Sequence, residues 1–376
     1  MRRAAILAVI MVALVSSGAD ATTHTVPIDP KVKPLIKKAA SEYKLKQYGL
    51  AIRTYSEALQ MKPDTTTASA IHSWRAYAYF DKGDWDKATN DAIESIRLNP
   101  HYFNGYLARG IIYRRSGNLD QAITYYNAAL RLNPNFARTY YDRAIVYSLK
   151  GNYDAAIRDY TEAIRRGDPI MQADFHYNQA VVYYTIGSTD KAIAGYNEAI
   201  RLAPNDFRSY CGRAWTFEDM GELDKASADY DRVTRANATD TNGYGFRGTA
   251  NFAKGNYRAA ASDFEKAVRL SPRDYDALCH FAWFQATCPE DSLRNGKAAL
   301  ETARQACELT RWQHYDPIDT LAAASAEIGN FDDAVKYETQ ALNMKGVNGF
   351  PRKKMQERLE LYRQRKPYRK ESKFKG

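Results

Sequence analysis

The side chains best suited to chemistry are few, and their spacing suits neither catalysis nor metal binding. The six His are His24, His72, His101, His176, His280 and His314, with no His-x-x-x-His pair among them. No Gly-rich phosphate loop and no Gly-x-Ser-x-Gly elbow is present. The sequence therefore predicts no catalytic residue, no metal and no cofactor, and a protein that is not an enzyme. What recurs instead is Tyr, 28 of them in 376 residues. With 45% hydrophobic and 26% charged residues and 13 Pro, the chain reads as folded and helix-rich rather than disordered.

The start of the chain reads as a targeting segment. Arg2 and Arg3 precede an apolar run from Ala4 to Val15, then Ser16, Ser17, Gly18 and Ala19-Asp20-Ala21. That order predicts a secretory signal peptide over 1–21, cleaved after Ala21, and a periplasmic or secreted mature chain. The other reading is an uncleaved anchor, for which the run is short. No Cys precedes Cys211, so no lipobox-type Cys can carry a lipid.

The Tyr follow an internal period. A Gly followed by a polar residue, then an aromatic residue or Leu, then Asp, occurs at Gly83, Gly117 and Gly151; the repeat continues at Gly187, Gly221 and Gly255, with spacings of 34, 34, 36, 34 and 34, and again at Gly329. Apolar residues fall three or four apart on both sides of each Gly, so each unit is two amphipathic helices joined there. With the Gly as position 15, position 11 holds Tyr79, Tyr113, Tyr147, Tyr183 and Phe217, and position 24 holds Tyr126, Tyr160, Tyr196, Tyr230 and Phe264. Small residues stand at position 8 (Ala76, Gly110, Ala144, Ala180, Ala214, Gly248) and at position 20, where helices must approach closely. Asn118, Asn152, Ser188 and Asn256 are placed to cap second helices, and Pro100, Pro134, Pro204 and Pro272 to end them.

This pattern resembles the tetratricopeptide repeat family. The resemblance runs from about Val32 to Gly346 and implies an all-α, right-handed superhelical solenoid of nine helix-turn-helix units over 32–346. It follows a linker at 22–31 and precedes a capping helix at 347–364 and a basic tail at 365–376. The first unit lacks the turn Gly, and the eighth has a longer turn, Cys288 to Asn295. Leu359, Leu361 and Tyr362 are expected to dock the cap on the ninth unit.

Positions 7 and 23 vary together: Arg75 with Asp91, Arg143 with Asp159, Arg213 with Asp229, Arg247 with Asp263. Where Gln179 replaces Arg, Gly195 replaces Asp. This predicts a packed ion pair between the two helices of a hairpin. Arg109 with Tyr125 is the exception and predicts a stacked pair. His72 and His176, at position 4, are expected to be core residues.

The resemblance also implies that first helices line a concave groove through positions 2, 5, 9, 12 and 13. On this sequence the expected partner-binding residues are Tyr77, Arg114, Arg115, Arg138, Tyr141, Tyr177, Tyr184, Trp215 and Trp283, and the expected partner is a protein or peptide. The Lys-5/Asn-9 clamp for a C-terminal carboxylate and the Asn ladder at position 6 are both absent. Cys211 and Cys279 stand at position 5 and are expected to be open to reagents, with Cys307 buried. No Cys pairing is favoured, Cys279 or Cys288 with Cys307 being the alternatives.

Charge collects at the ends. Residues 352–376 carry +8 and residues 22–46 carry +4, leaving −3 on 47–351, so no nucleic-acid partner is expected. Arg365, Lys366, Arg369 and Lys370 form an exposed basic stretch suited to an anionic envelope surface. An alternative function follows: an accessory subunit that tethers envelope polymer or lipid machinery through its basic ends.

Overall fold

The computed structural model describes residues 27–236, 241–344, 347 and 349–369. The proposed signal peptide and Lys370 lie outside the described residues. Among the described residues the regular elements are 19 α-helices and one short 3-10 helix, with no strand. The chain divides after Gly187 into two compact units.

The first unit contains α1 (Lys33–Lys44), α2 (Tyr48–Gln60), α3 (Thr65–Lys82), α4 (Trp85–Leu98), α5 (Phe103–Arg115), α6 (Leu119–Leu132), α7 (Ala137–Leu149), α8 (Tyr153–Arg166) and α9 (Pro169–Thr185). The second contains α10 (Thr189–Leu202), α11 (Phe207–Met220), α12 (Leu223–Ala236), α13 (Thr241–Lys254), α14 (Tyr257–Leu270), α15 (Tyr275–Thr287), α16 (Gly296–Leu309), α17 (Tyr315–Glu327), α18 (Phe331–Leu342) and α19 (Gly349–Arg363). Within each unit successive helices pair as hairpins, α1 with α2 through α7 with α8 in the first and α11 with α12 through α17 with α18 in the second, and α19 closes on α18.

The turn Gly residues do what the spacing predicts. All seven sit at positive φ, from 75° at Gly151 to 90° at Gly83. At Gly83 this conformation lets its own N–H and that of Asp84 donate back to Phe80 and Tyr79 carbonyls, both at 2.9 Å, which closes α3. In the first hairpin Lys46 takes the same left-handed place at φ 59°, with Gln47 N donating to Glu42 O at 2.9 Å. The expected caps are mixed. Asn118 and Asn152 accept from Gln121 N (3.3 Å) and Ala155 N (3.2 Å), but Ser188 and Asn256 stand at the cap position without a side-chain bond.

Position 8 is small because position 24 fills the space above it. A Cβ on Gly110 would lie 2.5 Å from the Tyr126 ring, and one on Gly248 would lie 2.8 Å from the Phe264 ring. Both rings are buried, each contributing roughly 1.5–3 kcal/mol by burial. The paired Arg and Asp are joined as the covariation predicts. Arg75 donates Nε and Nη2 to the two carboxylate oxygens of Asp91 at 2.7 and 2.8 Å, and the pairs Arg143/Asp159, Arg213/Asp229 and Arg247/Asp263 repeat that fork. Each fork leaves Nη1 for the preceding second helix: Ser56 for Arg75, Asn127 for Arg143, Asn197 for Arg213. Gln179 keeps that backward reach through Thr161 Oγ1 at 2.9 Å. Arg109 lies over the Tyr125 ring at 5.2 Å and the Tyr113 ring at 4.7 Å, and those two rings stack.

The long turn of the eighth hairpin contains the 3-10 helix Asp291–Leu293 and is organised by Arg294, which donates to Cys288 O at 2.6 Å and to Glu327 Oε1 at 2.6 Å. Leu359 and Tyr362 of α19 are buried as expected, Leu361 only in part, and Val347 and Met355 join them. None of the four Cys is in a disulfide, and all four are buried. The accessible thiols expected at Cys211 and Cys279 are therefore not found: Cys279 sits among Leu278 and Ala306, and burial pushes its thiol well above the usual range.

Candidate functional site

In the first unit the first helices α3, α5, α7 and α9 lie side by side, which brings positions 2, 5, 9 and 12 of successive repeats onto one face. The Tyr77 hydroxyl donates to Asn104 O at 3.4 Å, and Asn104 Nδ2 donates to Tyr102 Oη at 2.9 Å. Arg138 Nε donates to Asp142 Oδ2 at 2.8 Å, while Arg114 Nη1 stands 3.8 Å from Asp142 Oδ1. One fully buried carboxylate is thus shared by two guanidinium groups. Burial works against the Arg138 charge, and Asp142 more than restores it, so the group is held above its usual range. Arg138 also faces the Tyr141 ring at 5.5 Å. Tyr141 packs on Phe175 at 4.9 Å, accepts from Asn178 Nδ2 at 3.1 Å, and is pushed up to about 12 by burial.

The corresponding face of the second unit is of opposite character. Trp215 meets Phe246 edge-on at 4.8 Å. Asp276 and Asp316, each at position 2, and Asp319, at position 5, stand close enough to influence one another. Burial, then Asp274, pushes the Asp276 carboxyl up to about 6, and burial with Asp319 and Asp276 nearby also raises Asp316. Asp319 escapes its neighbours by pairing with Arg358 of α19 at 2.6 Å, and Glu338 approaches the same guanidinium at 3.3 Å. Burial, then the Asp319 charge, pushes the Glu338 carboxyl well above the usual range.

Of the nine residues expected to line a groove, Arg115 is exposed, and Arg138 and Trp283 are half-buried. Tyr77, Arg114, Tyr141, Tyr177, Tyr184 and Trp215 are buried. Trp283 lies under the Arg358 guanidinium at 5.0 Å and beside the Tyr368 ring at 5.9 Å. Asp142, Asp316, Asp319 and Arg358 were not singled out by sequence. For Asp316 and Asp319 the signal was available, since extending the groove register to the ninth repeat reaches both. Asp142 stands at position 6, where the sequence shows no more than the absence of an Asn ladder. In the basic stretch Arg365 is 73% exposed, whereas Arg369 is drawn to Glu327 at 3.2 Å. Among the described residues no group of His, Cys, Asp and Glu could hold a metal ion, and no helix is long and apolar enough to cross a membrane.

Family profiles described as "TPR repeat" and "Tetratricopeptide repeat" match residues 110–151, and 141–207 with 211–275. Residues 110–275 thus carry tetratricopeptide repeats. A curated relative, small glutamine-rich tetratricopeptide repeat-containing protein 2 of Saccharomyces cerevisiae, is 37% identical over 65 residues, 17% of this chain. The match spans 18% of that relative's length. Among solved structures, Pseudomonas aeruginosa pilF aligns over 59% of this chain and 98% of its own, with a TM-score of 0.52 and 16% identity. PilW, titled a widely conserved type IV pilus biogenesis factor, aligns over 56% and 96%, with a TM-score of 0.52 and 17% identity. The likeness to both is one of fold. Tetratricopeptide repeats mark a protein-interaction scaffold, of a fold class that is generally non-catalytic.

Proposed function

We propose that this repeat protein binds a protein or peptide partner along the face formed by its first helices, outside the cytoplasm. The observation that carries the reading is the row of Arg114, Arg115, Arg138 and Tyr141, where two guanidinium groups share one buried carboxylate and one of them faces an aromatic ring. Arg and aromatic side chains anchor interfaces because they combine large contact area with directed polar groups. Tyr77, Tyr177 and Tyr184 belong to the same register in the first unit, and Trp215 and Trp283 stand at corresponding repeat positions in the second. Export is supported by Arg2, Arg3, the apolar run and the Ala19-Asp20-Ala21 site, and N-terminal sequencing of the mature protein is expected to begin at Thr22.

Charge reversal at an accessible position tests the face without emptying the core. Arg115→Glu is expected to weaken recovery of partners that the wild type retains in affinity purification from envelope extract. Equal recovery of the same partners removes the assignment. A second reading, tethering to an anionic envelope surface, is favoured by the exposure of Arg365 and Lys366. It predicts that Arg365→Ala with Lys366→Ala releases the protein from anionic vesicles, a change to which the groove reading is indifferent.

A further inference from the structure

Residues 364–369, after α19, turn back onto the first-helix face of the last repeats. Arg365, a non-Gly residue at φ 56°, reverses the chain, with its N–H donating to Tyr362 O at 3.0 Å and that of Lys366 to Leu361 O at 2.9 Å. Pro367 then fixes its own backbone and delivers the next two residues to two groove positions. Tyr368 settles beside Trp283, at position 9 of the eighth repeat, with ring centroids 5.9 Å apart, and packs against the cluster of Ala322, Ala326, Ala334 and Tyr362. Arg369 reaches Glu327, at position 13 of the ninth repeat, at 3.2 Å.

The receiving groups are held independently of the segment they receive. Arg358, whose guanidinium faces Trp283 at 5.0 Å and Tyr368 at 5.7 Å, is fixed from behind by Asp319 and Glu338. Glu327 is 11% exposed and anchored by Arg294 at 2.6 Å. The guest is held more loosely: Arg369 is 47% exposed and Tyr368 half-buried, on a segment without helix hydrogen bonds. An aromatic slot between Trp283 and Arg358, followed at one residue's reach by a fixed carboxylate, selects an aromatic residue followed by a cationic one.

We propose that Trp283, Arg358 and Glu327 form a docking cleft for a partner segment carrying an aromatic residue followed by Arg or Lys, and that Tyr368-Arg369 is an internal ligand competing for it. The proposal rests on the reading of the first-helix face as the binding face. A site closed by its own tail is available only in the fraction of molecules in which the tail has left, so apparent affinity falls by that fraction.

The test uses the full chain and a fluorescein-labelled peptide copying residues 364–373, titrated by anisotropy against wild type and the Tyr368→Ala, Arg369→Ala double variant. The variant is expected to bind the peptide about tenfold or more tightly than wild type, and a peptide with the Tyr and Arg replaced by Ala is expected to bind at least about tenfold more weakly. Glu327→Gln in the double-variant background should weaken the native peptide while leaving one that lacks only the Arg unchanged. Arg369→Ala alone, at a half-exposed position, gives the same direction if the double variant melts early. Equal affinity for wild type and variant, equal affinity for the two peptides, or no binding overturns the proposal and leaves the tail a structural end piece. Because no cellular partner is used, that failure is separate from loss of the groove reading, which the Arg115 reversal tests.

Discussion

Arg143 and Asp159 meet through two parallel hydrogen bonds, Nε to Oδ2 and Nη2 to Oδ1, both at 2.7 Å, while Arg143 Nη1 donates to Asn127 Oδ1 at 2.5 Å. One guanidinium therefore fastens α7 to its hairpin partner α8 and to α6 of the repeat before. Arg143→Ala is expected to cost about 1–3 kcal/mol by leaving Asp159 buried without its partner. Arg143→Gln with Asp159→Gly, copying the residues at 179 and 195, should cost less than the sum of its singles in denaturant melts. Strict additivity would contradict the coupling.

Lys46 occupies a left-handed turn conformation that Gly occupies in the hairpins that follow. Lys46→Gly is expected to stabilise the protein by about 1 kcal/mol, since the Cβ penalty exceeds the added freedom of the unfolded chain. Gly83→Ala should move the denaturant midpoint the other way. A Cβ at Gly83 has nothing within 4 Å, so that loss isolates the backbone effect.

Arg358 is the hinge pin of the C-terminal cap. Its removal leaves Asp319 and Glu338 facing each other in a buried site, so Arg358→Ala is expected to cost about 3–5 kcal/mol. Hydrogen exchange should show residues 349–363 opening first. Unchanged protection of that helix would mean that Leu359, Tyr362 and Met355 hold the cap by burial alone.

Asp276 supplies a pH dependence with a definite sign. Its carboxyl is raised to about 6 in the folded protein, from the usual value near 3.8, so the native state binds more protons than the unfolded state in between. Its contribution to stability accordingly falls as pH rises from about 4 to 6, where the buried charge must form. Asp276→Asn should raise stability at pH 7 by on the order of 1–2 kcal/mol and change little at pH 4. Chemical melts at the two pH values check this; an equal effect at both would place the cause elsewhere.

The period of 34 residues, the turn Gly, the small residue opposite each aromatic and the coupled Arg and Asp were all legible in the sequence. Each is a local rule repeated in every unit, so one repeat serves as the control for the next. Gln179 standing with Gly195 is as informative as Arg143 standing with Asp159, because a partner is lost where its reason is lost. The same register placed Tyr77, Tyr141, Tyr177 and Trp215 on the first helices, but burial depends on what lies above a face, which spacing does not encode.

What only the tertiary structure decided lies where the repeat stops. Arg358 has no counterpart in other units, and nothing in its neighbours along the chain announces that it is inserted between Asp319 and Glu338, 39 and 20 residues earlier in sequence. The tail reads by composition as a solvated run of Lys and Arg, because charge along a sequence carries no information about where a chain reversal will deliver it. A single left-handed residue, Arg365, turns that run back so that Arg369 finds Glu327 and Tyr368 finds Trp283. Periodic order is specified by local propensity and survives translation from unit to unit, whereas these end contacts are made once, between residues brought together by the packing of everything between them.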